Sequence, residues 1–372
     1  MSRIAAALFA GVALPTLLGA DIANGQEGPS AELQCTVSGV EVVAEMSEAP
    51  GNVAVTPKGR IIASLHQFYE PARQVVEILP DGSVIPFLDE DAAEALELVA
   101  VLGLQADRDG IVWMVDNGGG AVAPRVVAWN TVADELHRIL TFDQNLMPAG
   151  AFPNDLAVDR THGKLVLANS GASQDAGLVI VDLATGDARR ALHGHPLLAH
   201  EDEDMVIDGR VVTAGAGAAR QPVRIALNPI TIDPTDTWIY FGAMSGTSLY
   251  RVRARDLYDE ALSHDALASR VERHGNKPFS DGITIDDDSN VYVTDLRNGA
   301  VGFTAADGTY RILHDDARLS WPDGLAAGPD GCIYLTVNQL HRSAVLNGGE
   351  DISEPPFLIV RFAPQAPVTV GR

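Results

Sequence analysis

The chain has 372 residues, 46% of them hydrophobic and only 20% charged, with a formal net charge of −24. That is enough apolar material for a large core. The charge argues against nucleic acid as a partner, because a phosphate backbone needs a basic surface. The 35 glycines and 21 prolines are scattered along the chain, which suits many short strands joined by turns.

The chain opens with MSRIAAALFAGVALPTLLGA, one Arg followed by an apolar run of small residues and leucines. This is the profile of a secretory signal, too short and too poorly flanked to anchor in a membrane. A buried N-terminal helix is the bland alternative. Residues 1–25 are expected to be removed on export, leaving 26–372 as one folded domain in the periplasm or outside the cell. No later stretch is long and apolar enough to span a bilayer. The mature chain is therefore expected off the membrane, as a monomer. Two cysteines, Cys35 and Cys332, are present. An even number in an exported chain permits a disulfide without requiring one.

Six segments share one pattern: an apolar strand, a tight polar turn, and a strand rich in β-branched and aromatic residues. They are VAVTPKGRIIASL from Val53, LQADRDGIVWMVDNG from Leu104, LAVDRTHGKLVLANSG from Leu156, ITIDPTDTWIYFGAMSG from Ile230, ITIDDDSNVYVTDLRNG from Ile283 and LAAGPDGCIYLTVNQ from Leu325. Asp, Pro, Asn and Gly in the turns supply the backbone angles and side-chain hydrogen bonds a hairpin needs. The repeats start roughly 40 to 75 residues apart, the length of a four-stranded blade with variable loops. The fold class this predicts is all-β, a six-bladed β-propeller. Helices are expected only in the excursions Asp89–Leu98 and Arg255–Leu267.

In such a ring, the residues just before each innermost strand point toward the axis. Aligning the repeats gives Gly51 and Asn52, Leu102 and Gly103, Asn154 and Asp155, Asn228 and Pro229, Asp281 and Gly282, Asp323 and Gly324. Asn154, Asn228, Asp281 and Asp323 share one register and should converge. Oxygen donors so placed suit a hard cation such as Ca²⁺, with Asn154, Asn228 and Asp281 as the candidate metal ligands. The bland alternative is that they cap the turns entering their strands.

Other candidates are weaker. His193, His195 and His200 lie in HGHPLLAHEDED, where His-x-His can chelate zinc, although a solvated loop is the favoured reading; His195 is kept as a residue of the tunnel mouth. His66 and Glu70 in SLHQFYEP, and His341 in NQLHR, follow second strands and could reach a ligand. Asp281, Asp323, His66 and His341 are the candidate acid–base groups, with Asn52, Asn154, Asp155, His195 and Trp321 as ligand contacts. Nucleotide-binding and serine-hydrolase motifs are absent.

The segments GNVAVTPKGRIIASLH, FPNDLAVD, NPITIDPTDTWIYFGAMSGTSLYRVRARDL, KPFSDGITIDDDSNVYVTDL and WPDGLAAGPDGCIYLTVNQLHR resemble the bacterial branch of the Yellow and major royal jelly protein family, often labelled dopachrome-tautomerase-related. The resemblance runs from about Val42 to Phe362 and implies a secreted six-bladed propeller with an axial ligand pocket. The chain also resembles, more distantly, the calcium-dependent lactonases of the gluconolactonase and senescence-marker type. In those a Glu, two Asn and an Asp hold the metal. Asn154, Asn228 and Asp281 match the two Asn and the Asp, but the Glu falls at Gly51 and has no match. Two functions follow as expectations. One is an enzyme of the lactone-hydrolysis or tautomerisation class, possessing a Ca²⁺-dependent site. The other is a binding protein for a small aromatic or cationic ligand, with Trp321 as an aromatic wall.

Overall fold

The computed structural model describes residues 35–171 and 174–372. The signal expected at residues 1–25 lies outside them. Six four-stranded antiparallel sheets are present, each built from strands adjacent in sequence except the last. We number them blades 1 to 6. Their innermost strands are Pro50–Val55, Val101–Ala106, Pro153–Asp159, Leu227–Ile232, Ile283–Ile285 and Pro322–Ala327. Each innermost strand packs beside the next, and that of blade 6 returns to that of blade 1. The ring is closed, as a six-bladed propeller must be.

Packing explains the sequence pattern blade by blade. A second strand such as Ile111–Asp116 is buried at every residue, since each blade is covered by a neighbour on both faces. Such strands read as continuous apolar runs instead of alternating ones. Outermost strands such as Glu135–Thr141 are largely exposed and polar. An Asp holds the turn in blades 2 to 6, and Thr56 Oγ1, accepting from Arg60 N, takes that place in blade 1. Asp107 accepts from the backbone N–H of Asp109 and Ile111 and from Trp113 Nε1. Asp286 does the same for Asp288, Asn290 and the Tyr292 hydroxyl.

Blade 6 borrows its outer strand from the N-terminal side. Glu41–Met46 pairs antiparallel with Phe357–Phe362. A Cys35–Cys332 disulfide ties the same two parts of the chain together, across 297 residues of sequence. The pairing that the sequence left open is thus made. The expected excursions are helical: Glu90–Leu96 is capped by Asp89, and Ala254–Leu257 and His264–Ala268 are single turns. None of the helices among the described residues is long and apolar enough to cross a membrane.

Two further excursions meet on the face where the innermost strands begin, here called the upper face. One spans 192–226 between blades 3 and 4 and contains two small hairpins. The other is the 338–356 segment of blade 6. They enclose a second core of Met205, Ile207, Val212, Val223, Phe279, Trp321 and Leu346. At the lower end, Gly371 and Arg372 enter the tunnel. Gln105 Nε2 donates to Gly371 O at 2.8 Å, Thr284 Oγ1 donates to Arg372 O at 2.7 Å, and the Arg372 guanidinium pairs with Asp236 at 2.9 Å.

Candidate functional site

The site arises from one irregularity repeated around the ring. In blades 1, 2, 3, 4 and 6 the pairing of the first two strands shifts just inside the innermost strand, for example between Pro153 and Leu156 and between Pro322 and Leu325. A bulge re-aims the side chains it carries. Here it accompanies Asn52, Asn154, Asn228 and Asp323 at the axis, while Asp281 of blade 5 stands just before a shorter innermost strand that has no such shift. Hydroxyls on second strands fix the entry in three blades. Ser64 Oγ accepts from Asn52 N, and Thr336 Oγ1 from Gly324 N. Thr294 Oγ1 accepts from the backbone N–H of both Asp281 and Gly282. Ser64 and Thr336 also donate across to the next blade, to Leu102 O at 2.7 Å and Gly51 O at 2.6 Å. There is no room for a second side chain where Gly follows: a Cβ at Gly282 would stand 2.1 Å from Asp323 O.

The converging side chains form a hydrogen-bonded floor. Asn52 Nδ2 donates to Asp155 Oδ1 at 2.8 Å. Asn154 Nδ2 donates to Asn228 Oδ1, and Asn228 Nδ2 donates to Asp281 Oδ1 at 2.5 Å. Trp321 Nε1 donates to Asp281 Oδ2 at 2.8 Å, and Asn338 Nδ2 to Asp323 Oδ2 at 2.7 Å. Above the floor lies a cavity of about 350 Å³. Phe68, Leu102, Phe152, Ile225, Met244 and Leu340 give it apolar walls, while Asn52, His66, Asn154, Asp155, Arg224, Asp281 and Asp323 supply polar groups. A few convergent polar groups in an apolar cleft of this size are what small-molecule sites have.

Burial sets the ionisation of this floor. Loss of hydration pushes Asp281 up to about 6, against the hydrogen bonds from Trp321 and Asn228 that favour its charged form. Burial, followed by repulsion from neighbouring carboxylates, raises Asp155 and Asp323 well above the usual carboxyl range. Behind them Lys277 is itself buried, which lowers it to about 7 although Glu201 and Asp281 act the other way. Its Nζ donates to Gly246 O at 2.8 Å and Pro278 O at 3.0 Å. His66 is lowered by burial to about 3 and stays neutral. Its Nδ1 accepts from Phe68 N at 3.2 Å, so its ring proton sits on Nε2 and His66 is a donor, not a base.

Six of the predicted residues therefore come together: Asn52, Asn154, Asp155, Asn228, Asp281 and Asp323, with His66 on the wall. Four expected placements are corrected. Trp321 is fully buried in the upper-face core behind the cavity wall, where it positions Asp281 instead of walling the pocket. His341 stacks on the far side of Trp321, with ring planes 10° apart and centroids 5.9 Å apart, and its Nε2 meets Asp208. It borders a different cavity. His195 caps the turn Pro196–Leu198 and packs near His264, away from the axial cavity. The acidic run beside it serves ion pairs: Asp202 and Asp204 hold Arg224, and Glu203 holds Arg297. Glu70 only ends the turn Gln67–Tyr69.

Sequence reasoning missed Ser64, Thr294, Thr336, Asn338 and Lys277. The hydroxyls did leave a signal, a lone Ser or Thr near the end of an otherwise apolar second strand. Gly51 also gains a reason. A Cβ there would sit 2.8 Å from Ser64 Oγ and 3.7 Å from the His66 ring. Blade 1 thus brings an imidazole, and no carboxylate, to the cavity. Among the described residues, no three His, Cys, Asp or Glu side chains are grouped so as to share one metal ion.

The profile of the major royal jelly protein family matches residues 99–351, blades 2 to 5 and the axial half of blade 6. The chain belongs to the major royal jelly protein family. This family chain shares its fold with three solved propellers at low identity. A calcium-binding regucalcin from Agrobacterium tumefaciens is 14% identical, with a TM-score of 0.55 over 90% of this chain and 97% of that one. A gluconolactonase from Xanthomonas campestris is 13% identical, with a TM-score of 0.56 over 89% and 91%. A luciferin-regenerating enzyme is 11% identical, with a TM-score of 0.54 over 90% and 99%. No curated protein matches the sequence.

Proposed function

We propose that this chain is an exported enzyme that acts on a small molecule in the axial pocket, by lactone hydrolysis or keto–enol tautomerisation. The observation that carries the reading is the trio Asp155, Asp281 and Asp323 on the floor of an apolar-walled cavity. Asp281, near 6, can take and return a proton close to neutral pH. Asp155 and Asp323 hold protons to higher pH and can donate them. His66 Nε2–H is placed to bond a substrate oxygen. In tautomerisation the Asp281 carboxylate removes a carbon-bound proton while a protonated carboxyl delivers one to the oxygen. In lactone hydrolysis it removes a proton from water as that oxygen bonds the carbonyl carbon, and the acid protonates the ring oxygen as its bond to that carbon breaks.

A divalent cation, Ca²⁺, belongs to the same proposal. The donor chemistry fits, since amide and carboxyl oxygens are what a hard cation takes and crowded carboxyls gain most from one. Asn154, Asn228 and Asp281 would hold it, and it would polarise a substrate carbonyl or enol oxygen. Export to the periplasm or beyond is supported by the apolar N-terminus and by a disulfide, which persists in oxidising compartments.

The test is a panel of lactones and of keto–enol pairs, with products identified, run in Ca²⁺ and in chelator. Turnover by the wild type and a drop of about 100-fold or more in Asp281→Asn is expected. Equal rates in the two proteins would refute the role of Asp281. The second reading, a binding protein for an aromatic cation, is favoured by Phe68 and Phe152 standing over an acidic floor. It predicts saturable binding of an aromatic amine that is recovered unchanged.

A further inference from the structure

The upper face carries a second cavity, of about 300 Å³, on the far side of the His341–Trp321 stack from Asp281. It lies where the small hairpins Val206–Val211 and Thr213–Pro222 meet the 338–356 segment, joined by a bridge between Thr213 and Asn347. Its walls bring three arginines together, Arg210, Arg220 and Arg342, in a chain that has only 26 lysines and arginines against 50 acids.

The acids of the cleft are already engaged. Asp208 receives His341 Nε2 at 3.1 Å and the Arg342 guanidinium at 3.2 Å, and Glu354 meets Arg342 at 3.4 Å. Arg220 and Arg210 have no carboxylate partner among the described residues. Arg220 Nε is held by Thr213 Oγ1 at 2.5 Å, and its guanidinium lies over Gly348, where a Cβ would come within 3.2 Å of it. Gly348 has a positive φ of 71°, which favours glycine, and a side chain there would crowd the guanidinium. Arg210 borders the same cavity and is exposed.

Two uncompensated guanidinium groups on one polar cleft match the planar, paired oxygens of a carboxylate or phosphate. We propose that this cleft is a second binding site, for a small oxyanion held by Arg210 and Arg220. The overall charge of −24 repels anions at long range, so saturable binding depends on these local groups. The inference stands independently of the chemistry at the axial site.

The test is calorimetric titration with inorganic phosphate and, separately, with succinate, against chloride at the same ionic strength. Three proteins are compared: wild type, Arg210→Ala/Arg220→Ala, and His66→Phe, which alters the axial pocket instead. Saturable binding of either probe is expected, weakened 10-fold or more by the double substitution and unchanged in His66→Phe. Phosphate binding alone would identify a phosphoryl ligand, and succinate binding alone a carboxylate. No saturation beyond the chloride control overturns the proposal. So does equal binding by the double variant, or loss in His66→Phe only.

Discussion

Asp281 is held at both oxygens, by Asn228 on one and by Trp321 on the other. A carboxyl so fixed cannot turn away from the cavity, and its proton affinity is set by a balance of burial against two donors. Removing one donor shifts that balance in a known direction. Trp321→Phe keeps an aromatic ring and loses the indole N–H, so the Asp281 carboxylate is less favoured and its titration moves above 6. A hydrogen bond of about 1 kcal/mol corresponds to a shift of roughly half a pH unit to one unit. With Asp281 as base, the rising limb of the pH–rate profile moves to higher pH by that amount. A purely structural tryptophan would lower the rate and leave the limb where it was.

The recurring bulge and its hydroxyl are the elements that turn a ring of sheets into a site. Thr336 is fully buried, accepts from Gly324 N and donates to Gly51 O. Thr336→Val keeps the shape and leaves both backbone groups unpaired, which costs about 1–3 kcal/mol. Chemical denaturation should show a loss in that range; no loss would mean the bulges stand without their hydroxyls. The strand repeats were legible because blades covered on both faces need apolar second strands and Asp-rich turns, and both recur in the chain. The axial register was legible for the same reason, since it is counted from the first apolar residue of each repeat. Trp321, His341 and His195 were misplaced because loops of the upper face decide where they point. Trp321 precedes an innermost strand but has a left-handed backbone, φ 57°, and its ring packs into the upper-face core. The 192–226 excursion carries His195 outward, and no periodicity announces that path.

At the scale of the whole molecule, closure of the ring depends on one borrowed strand, Glu41–Met46, and on the Cys35–Cys332 bond beside it. Reduction should lower stability by about 2–5 kcal/mol, read as a fall in Tm with and without reductant. An unchanged Tm would mean that the strand holds alone. The buried carboxyls act on stability too. Their folded pKa values lie above the unfolded ones, so their contribution is complete at low pH and is lost as pH rises through the folded values. For Asp281, raised from 3.8 to about 6, the loss amounts to about 3 kcal/mol. Asp323→Asn removes one such group while keeping an oxygen for Asn338. Its Tm should gain on the wild type as pH rises from 5 to 8, and a constant difference would contradict the ionisation described here. A fold that tolerates this cost at its axis retains charge where a substrate would use it. The most direct measurement is turnover of the lactone and keto–enol panel by wild-type and Asp281→Asn protein side by side at pH 7.5. Turnover by the wild type and a loss of about 100-fold or more in the variant are expected, with circular dichroism checking that the variant is folded. Equal turnover by the two proteins would contradict the role of Asp281.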